Sequence, residues 1–457
     1  MNNETRKRLS TYFVKNNRSK LQQMKIKKDK VKIITLGCSK NLVDSELIMA
    51  QLIAGNIELV EDEKKADTVI INTCGFIQSA KEESINTILA AVENKEQGRL
   101  KNVFVAGCLS DRYMEDLKKE IPEVDKYFGA TSKPKNVYDI LNSLGVDYKK
   151  NLIGERTLTT PPHYAYIKIS DGCDNPCAFC SIPIMRGGHI SKPLDEIIDE
   201  SKRLSDKGVK EIVVIGQDTT YWGIDINKKR DIAKVLKEMS KVDGIEWIRL
   251  MYAFPSRFPE ELFEVMMENE KVCKYIDIPI QHISDHMLKV MRRGTTKNNQ
   301  IKVLEKLREK IRNIAIRTTL LVGHPGETDK DFEELLGFVN EFKFDRLGVF
   351  TYSHEEGTFA GSLKDNISQK EKNSRQKQIL DTKKKVSEEI NKSMLNRVCK
   401  VIIDRKDLGY YIGRTYKDAP EIDQEVYVQS KSELINGEFY EVKINDYEEF
   451  DLFGEII

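Results

Sequence analysis

Nine apolar, β-branched runs alternate with helix-patterned stretches between residues 31 and 352. That alternation constrains the fold strongly, because parallel strands need a crossover between them and helices then cover the sheet. The first three runs, VKIITLG, TVIINT and NVFVAG, lead directly into Cys38, Cys74 and Cys108. Helical periodicity follows over 42–54, 79–94 and 111–120. A doubly wound parallel α/β domain over 31–145 is predicted, with ligands beyond the carboxyl ends of its strands. All three cysteines fall at that edge, so the fold gathers residues 36 and 34 positions apart.

A connector over 131–164 carries Ser132, Pro134, Pro161 and Pro162. The other six runs lie at 165–170, 211–216, 246–252, 274–280, 314–323 and 345–352. Helical patterns at 195–206, 229–241, 258–270, 297–312 and 329–342 separate them. These βα units, over 160–390, predict a barrel-type sheet, as a partial or full ring, with its active site at the carboxyl ends of the strands. A charged helix over 367–394 leads into 392–457. There, five short strands predict a small antiparallel β-barrel of the OB type, with a hairpin signal at Asn436-Gly437.

Lys and Arg number 74 against 73 Asp and Glu, so nothing reads as a global polyanion binder. No apolar run approaches the roughly 18 residues that span a bilayer, and the N-terminal segment lacks the apolar stretch of a signal peptide. A cytoplasmic protein without a membrane partner is expected, and its eight cysteines are not a disulfide scaffold. Residues 1–30 hold ten Lys/Arg against Glu4 and Asp29, and are expected to be a disordered basic tail. Met24 is an alternative start.

The stretch SDGCDNPCAFCSIP sets Cys173, Cys177 and Cys180 just after the first barrel strand. Three thiolates hold three corners of a [4Fe–4S] cluster and leave one iron open, which is a catalytic arrangement. A structural zinc site with His189 or another residue as fourth ligand is the alternative, although zinc ribbons prefer paired C-x2-C knuckles. Cys273 and Cys399 read as buried small hydrophobes.

C-x3-C-x-Phe-C after the first strand of a βα barrel resembles the radical S-adenosylmethionine (SAM) superfamily. The resemblance implies that SAM binds the open iron and is cleaved to methionine and a 5′-deoxyadenosyl radical. It places Phe179 near the adenine and Gln217 near the SAM amino group. Core packing and a strand-end turn are the plain alternatives for those two residues.

The three-cysteine first domain, the barrel and the small β domain together resemble the methylthiotransferases, whose C-terminal module is a TRAM domain. That implies a second [4Fe–4S] cluster on Cys38, Cys74 and Cys108, supplying or carrying the sulfur. One SAM donates methyl and another generates the radical, with electrons from an external donor and no general base. LGCSKNLVDSE (36–46) resembles the ribosomal-protein branch, which reads LGC-x-KN-x-VDSE, rather than the tRNA branch, which reads GC-x-MN. The implied target is the β-carbon of an aspartate in small-subunit ribosomal protein S-twelve. INTCGF (71–76), DIPIQH (277–282) and GHPGET (323–328) fit the family, with His324 where Phe is usual.

Residues 391–457 hold 9 Lys/Arg against 14 Asp/Glu, a net of −5, which suits a basic protein partner better than tRNA phosphates. Gln281 and His282 are expected at the active-site rim, and Arg292 and Arg293 are candidate substrate contacts. Gly323, Pro325 and Gly326 shape a turn before a helix opened by Thr328-Asp329. The rival readings are a tRNA (adenosine) methylthiotransferase, a zinc-bound RNA-binding protein without catalysis, and an electron-transfer protein.

Overall fold

The computed structural model describes residues 29–149, 152 and 154–457; the basic tail to residue 28, with Met24, lies outside them. The first sheet holds β1 (Lys30–Thr35), β2 (Glu58–Leu59), β3 (Thr68–Thr73), β4 (Asn102–Gly107) and β5 (Lys126–Tyr127). All its pairings are parallel, in the order β2-β1-β3-β4-β5. Its helices are α1 (Ser39–Ala54), α2 (Gln78–Glu96), α3 (Cys108–Glu120) and α4 (Pro134–Ser143). Ile48 and Leu52 of α1 and Ile140 and Leu141 of α4 cover one face of the sheet. Ile88 and Val92 of α2 and Leu117 of α3 cover the other. The sheet is doubly wound, and its strand order reverses between β1 and β3, where such folds bind ligands. Helix α4 falls inside the expected connector; Pro134 opens it, as proline can in a first turn.

The second sheet runs β13-β12-β11-β10-β9-β6 and is parallel throughout. Its strands are β6 (Tyr164–Lys168), β9 (Glu211–Ile215), β10 (Trp247–Leu250), β11 (Val272–Asp277), β12 (Ala315–Val322) and β13 (Arg346–Thr351). Between β6 and β9, β7 (Ser170–Asp171) pairs antiparallel with β8 (Ile190–Ser191). Strands β6 and β13 do not pair, so the barrel is partial. Alternation sends Ala165, Ile167, Ile212, Val214, Ile248 and Leu250 outward onto the helices. It sends Tyr164, Tyr166, Val213, Trp247 and Tyr275 into the lumen. Helix α1 lies along the β6 edge, with Val43 among the lumen residues and Glu46 accepting from Thr159 N–H at 2.7 Å.

The third body is a closed barrel, β14 (Val398–Asp407), β15 (Tyr410–Arg414), β16 (Val426–Gln429), β18 (Leu452–Ile456) and β17 (Phe439–Tyr447) in spatial order. Four of its pairings are antiparallel, but β16 and β18 run parallel. Gly437 takes φ +83°, as a turn there requires, yet no hairpin forms, because β17 pairs with β14 and β18 instead of β16. This barrel plugs the amino end of the second sheet. Asp418 pairs with Arg346, Asp423 accepts from Tyr275 Oη at 2.8 Å, and Arg414 bridges Glu211 and Asp404 at 2.8 and 2.7 Å. Three of the segment's 14 acids, Asp404, Asp418 and Asp423, are therefore turned inward, onto Arg414, Arg346 and Tyr275. No helix among the described residues is long and apolar enough to cross a membrane.

Candidate active site

Both cysteine trios sit at carboxyl ends of parallel strands. Cys38 caps the N-terminus of α1, Cys74 follows β3, and Cys108 begins α3. Cys38 and Cys74 thus flank the point where strand order reverses. Two helix N-termini present partial positive charge to this trio, which favours thiolates or an anionic cluster. Gly37 (φ +90°) allows the approach, since a Cβ there would lie 2.8 Å from the Cys74 sulfur. Asn41, one turn into α1, ties the loops together by donating to Leu36 O and Thr73 O at 2.9 and 3.1 Å. Burial pushes the Cys108 thiol up to about 11, against the pull of Arg186, and raises Cys74 for the same leading reason.

Cys173, Cys177 and Cys180 occupy the loop after β7. Gly172 (φ +70°) turns the chain where a Cβ would strike the Gly188 carbonyl at 2.0 Å. The loop is pinned by Cys173 N–H to Gly187 O at 3.1 Å and Ala178 N–H to Met291 O at 2.9 Å. Asn175 donates to the Cys173 sulfur at 3.5 Å, and Arg293 donates to the Cys177 sulfur at 3.2 Å. Burial pushes Cys173 up to about 11 and Cys180 to about 12, so a bound metal is what would hold them as thiolates. Among the described residues, no three His, Cys, Asp or Glu side chains converge on one ion. His189 instead bonds Ser191 Oγ at 3.0 Å.

Phe179 packs with Met287, Met291 and Tyr352, edge-on to His324 at 6.2 Å. Gln217 follows β9, and its side-chain oxygen is buried without a partner. Ser170 Oγ, Ser181 Oγ, His324 Nε2 and Tyr352 Oη share that condition. Buried polar atoms normally find partners, and this set at the carboxyl edge of the sheet fits a polar cofactor such as SAM. His282 is fully buried between Glu327 (3.1 Å) and the Ile283 and Ser284 amides. Gln281 holds φ +67° between β11 and β12. Arg292 stacks on Phe359 at 3.4 Å, and Thr328 and Asp331 close a capping box on the helix Asp329–Phe342.

The sequence reading missed the residues that join the two trios. Arg186, on the short helix Ile182–Arg186 after the second trio, donates to Asn41 Oδ1 at 2.6 Å, and to Asp44 and Asp171 at 3.2 Å. Lys168 also pairs with Asp44 and Asp171. A second clamp joins Lys81 and Arg112 to Glu355 at 2.7 and 2.6 Å. Asn41 and Asp44 stand three and six residues after Cys38 and share a face of α1 as an i, i+3 pair; that spacing was the available signal.

Residues 167–339 match the radical SAM superfamily, residues 397–457 the TRAM domain, and residues 30–129 the family described as "Uncharacterized protein family UPF0004". The chain is 51% identical to the ribosomal protein uS12 methylthiotransferase RimO of Cytophaga hutchinsonii, over 94% of this chain and 98% of that one. The protein of the same name from Christiangramia forsetii is 51% identical (94% and 95% covered), and that from Phocaeicola vulgatus 50% (94% and 100%). Among solved structures, the radical SAM methyltransferase TsrM of Kitasatospora setae shares the fold at TM-score 0.55 and 14% identity, over 73% of this chain and 77% of that one. The cobalamin-dependent radical SAM enzyme OxsB does so at 0.51 and 12%, over 79% and 56%. The chain belongs to the uS12 methylthiotransferase family of radical SAM enzymes.

Proposed function

We propose that this enzyme methylthiolates the β-carbon of an aspartate in small-subunit ribosomal protein uS12, in the cytoplasm, with electrons from an external donor. Two [4Fe–4S] clusters are assigned, one to Cys173, Cys177 and Cys180, the other to Cys38, Cys74 and Cys108. We also propose the division into an N-terminal domain (31–145), a radical SAM barrel (160–390) and a TRAM domain (392–457). When bound, the clusters and SAM supply a carbon-centred radical, a methyl group and sulfur.

The residues of the chain bind, orient and exclude water. Phe179 would pack against the adenine, and Gln217 would offer its unpartnered oxygen to the SAM amino group. Arg293 would hold the Cys177 sulfur, and Arg186 would fix the distance between the trios. The observation that carries this reading is that one buried guanidinium, Arg186, binds the loops of both trios. An unactivated C–H bond offers no acid–base handle, so a site built from thiols and packing suits a radical abstraction.

The experiment is the intact mass of uS12 from cells with and without the gene, alongside modified nucleosides from the same cells' tRNA. Loss of the methylthio increment from uS12 alone is expected. Loss of a methylthio-adenosine with uS12 unchanged would overturn the substrate assignment.

A further inference from the structure

Lys40 is 7% exposed, yet among the described residues no hydrogen bond or ion pair engages its side chain. The other buried lysines among the described residues, Lys81 and Lys372, pair with Glu355 and Asp365. The partner of Lys40 is the ring of Tyr252, whose centroid lies 3.1 Å from Nζ. Buried lysines are rare without an acid, because desolvation of the charge is left uncompensated.

The position of this cation is specific. Tyr252 follows β10 at φ +59°, a backbone conformation uncommon outside glycine. It is held there by its N–H on Asp277 at 3.2 Å and its carbonyl, which accepts from Thr219 N–H at 3.1 Å. Two residues on, Phe254 carries Arg293 at 4.2 Å, and Arg293 bonds the Cys177 sulfur. On its other side, Lys40 lies two residues after Cys38. The ammonium therefore sits where α1, beside the first trio, meets the strand end whose loop leads through Phe254 and Arg293 to the second.

We propose that Lys40 receives the side-chain carboxylate of the substrate aspartate, an inference that rests on the aspartyl substrate proposed above. A β-carbon that loses hydrogen on one trio's side and gains sulfur from the other lies between them. The carboxylate is attached directly to that carbon. The face of Tyr252 holds the ammonium in readiness, and the arriving carboxylate supplies the missing counter-charge. A site built this way rejects a neutral isostere of the substrate.

The test uses reconstituted holoenzyme with excess SAM and reductant. The substrates are purified uS12 carrying either the target aspartate or asparagine in its place. Lys40→Met keeps the length and removes the charge; Lys40→Arg keeps the charge. Wild-type enzyme is expected to favour aspartate by about tenfold or more in kcat/KM. Lys40→Met should bring that preference to within about twofold, mainly through KM, and calorimetric affinities for the two substrates should converge likewise.

Equal losses on both substrates, or an unaltered preference, would overturn the inference and leave the proposed function standing. If Lys40→Met fails to take up iron, Lys40→Arg decides: a retained preference supports the inference and a lost one overturns it. Wild-type enzyme that modifies tRNA and neither form of uS12 removes the proposed function, and this inference with it.

Discussion

Arg186 donates to Asn41 across the boundary between the barrel and the N-terminal sheet, at 2.6 Å and with both residues buried. The same guanidinium holds Asp44 and Asp171, so one residue fixes the spacing of the two thiol trios.

Arg186→Met leaves the buried Asp44 and the half-buried Asp171 with Lys168 as their remaining cationic partner. Loss of one member of a buried ion network costs about 3 kcal/mol or more. A lower Tm and a larger loss of methylthiolated product than of 5′-deoxyadenosine are expected. Arg186→Lys should recover less than half of the product, because a single ammonium cannot reach all three acceptors. Full activity in Arg186→Met would show that the spacing is set elsewhere.

The two trios should separate by product. Cys177→Ala is expected to abolish SAM cleavage, while Cys74→Ser keeps 5′-deoxyadenosine formation and loses the methylthio product. Iron analysis of each variant should show roughly half the wild-type content, if each trio holds a four-iron cluster. Undiminished 5′-deoxyadenosine from Cys177→Ala would falsify the assignment.

Arg293 places a cationic donor 3.2 Å from the Cys177 sulfur. Such a donor stabilises the more negative, reduced state of a cluster. Arg293→Met should therefore lower the potential of that cluster, by something on the order of 50 mV at 59 mV per tenfold for one electron. A redox titration followed by electron paramagnetic resonance reads it; an unchanged or raised potential contradicts the role.

Docking of the C-terminal barrel should weaken in acid. Burial raises the Asp404 carboxyl, but Arg414 and His163 outweigh it and hold the group below its usual range. A depressed acid contributes stability above the ordinary aspartate value of about 3.9, and that contribution is lost as pH falls through the lower folded value. Trp247 meets Phe439 of the C-terminal barrel at 4.8 Å, so its fluorescence reports the contact. Wild-type signal should change below about pH 4, whereas Asp404→Asn should be weaker at pH 7 and flatter in acid.

The strands, most helices and both cysteine trios were legible because each rests on a local pattern: β-branched runs, 3.6-residue periodicity and thiols at strand ends. The helix Pro134–Ser143 was not, since Ser132, Pro134, Pro161 and Pro162 made the stretch 131–164 look like a connector. The Asn436-Gly437 turn was read correctly as a turn, but strand pairing depends on distant residues that no dipeptide encodes. The inward turn of Asp404, Asp418 and Asp423 was not legible, because composition counts charges without their partners. Lys40 and Arg186 were invisible as site residues for the same reason: their meaning lies in what they touch, more than 100 residues away in each case. Arg293 was expected as a substrate contact, and the structure sets it on the Cys177 sulfur instead.

Helix α1 gives its amino end to one thiol trio and its buried acids to the barrel. Glu46 is anchored to Thr159, Asp44 to Lys168 and Arg186, and Asn41 to Arg186. Any hinge between the two α/β bodies would have to break these bonds at once. The two strand edges that bear the thiol trios are thus braced against each other by the side chains of a single helix.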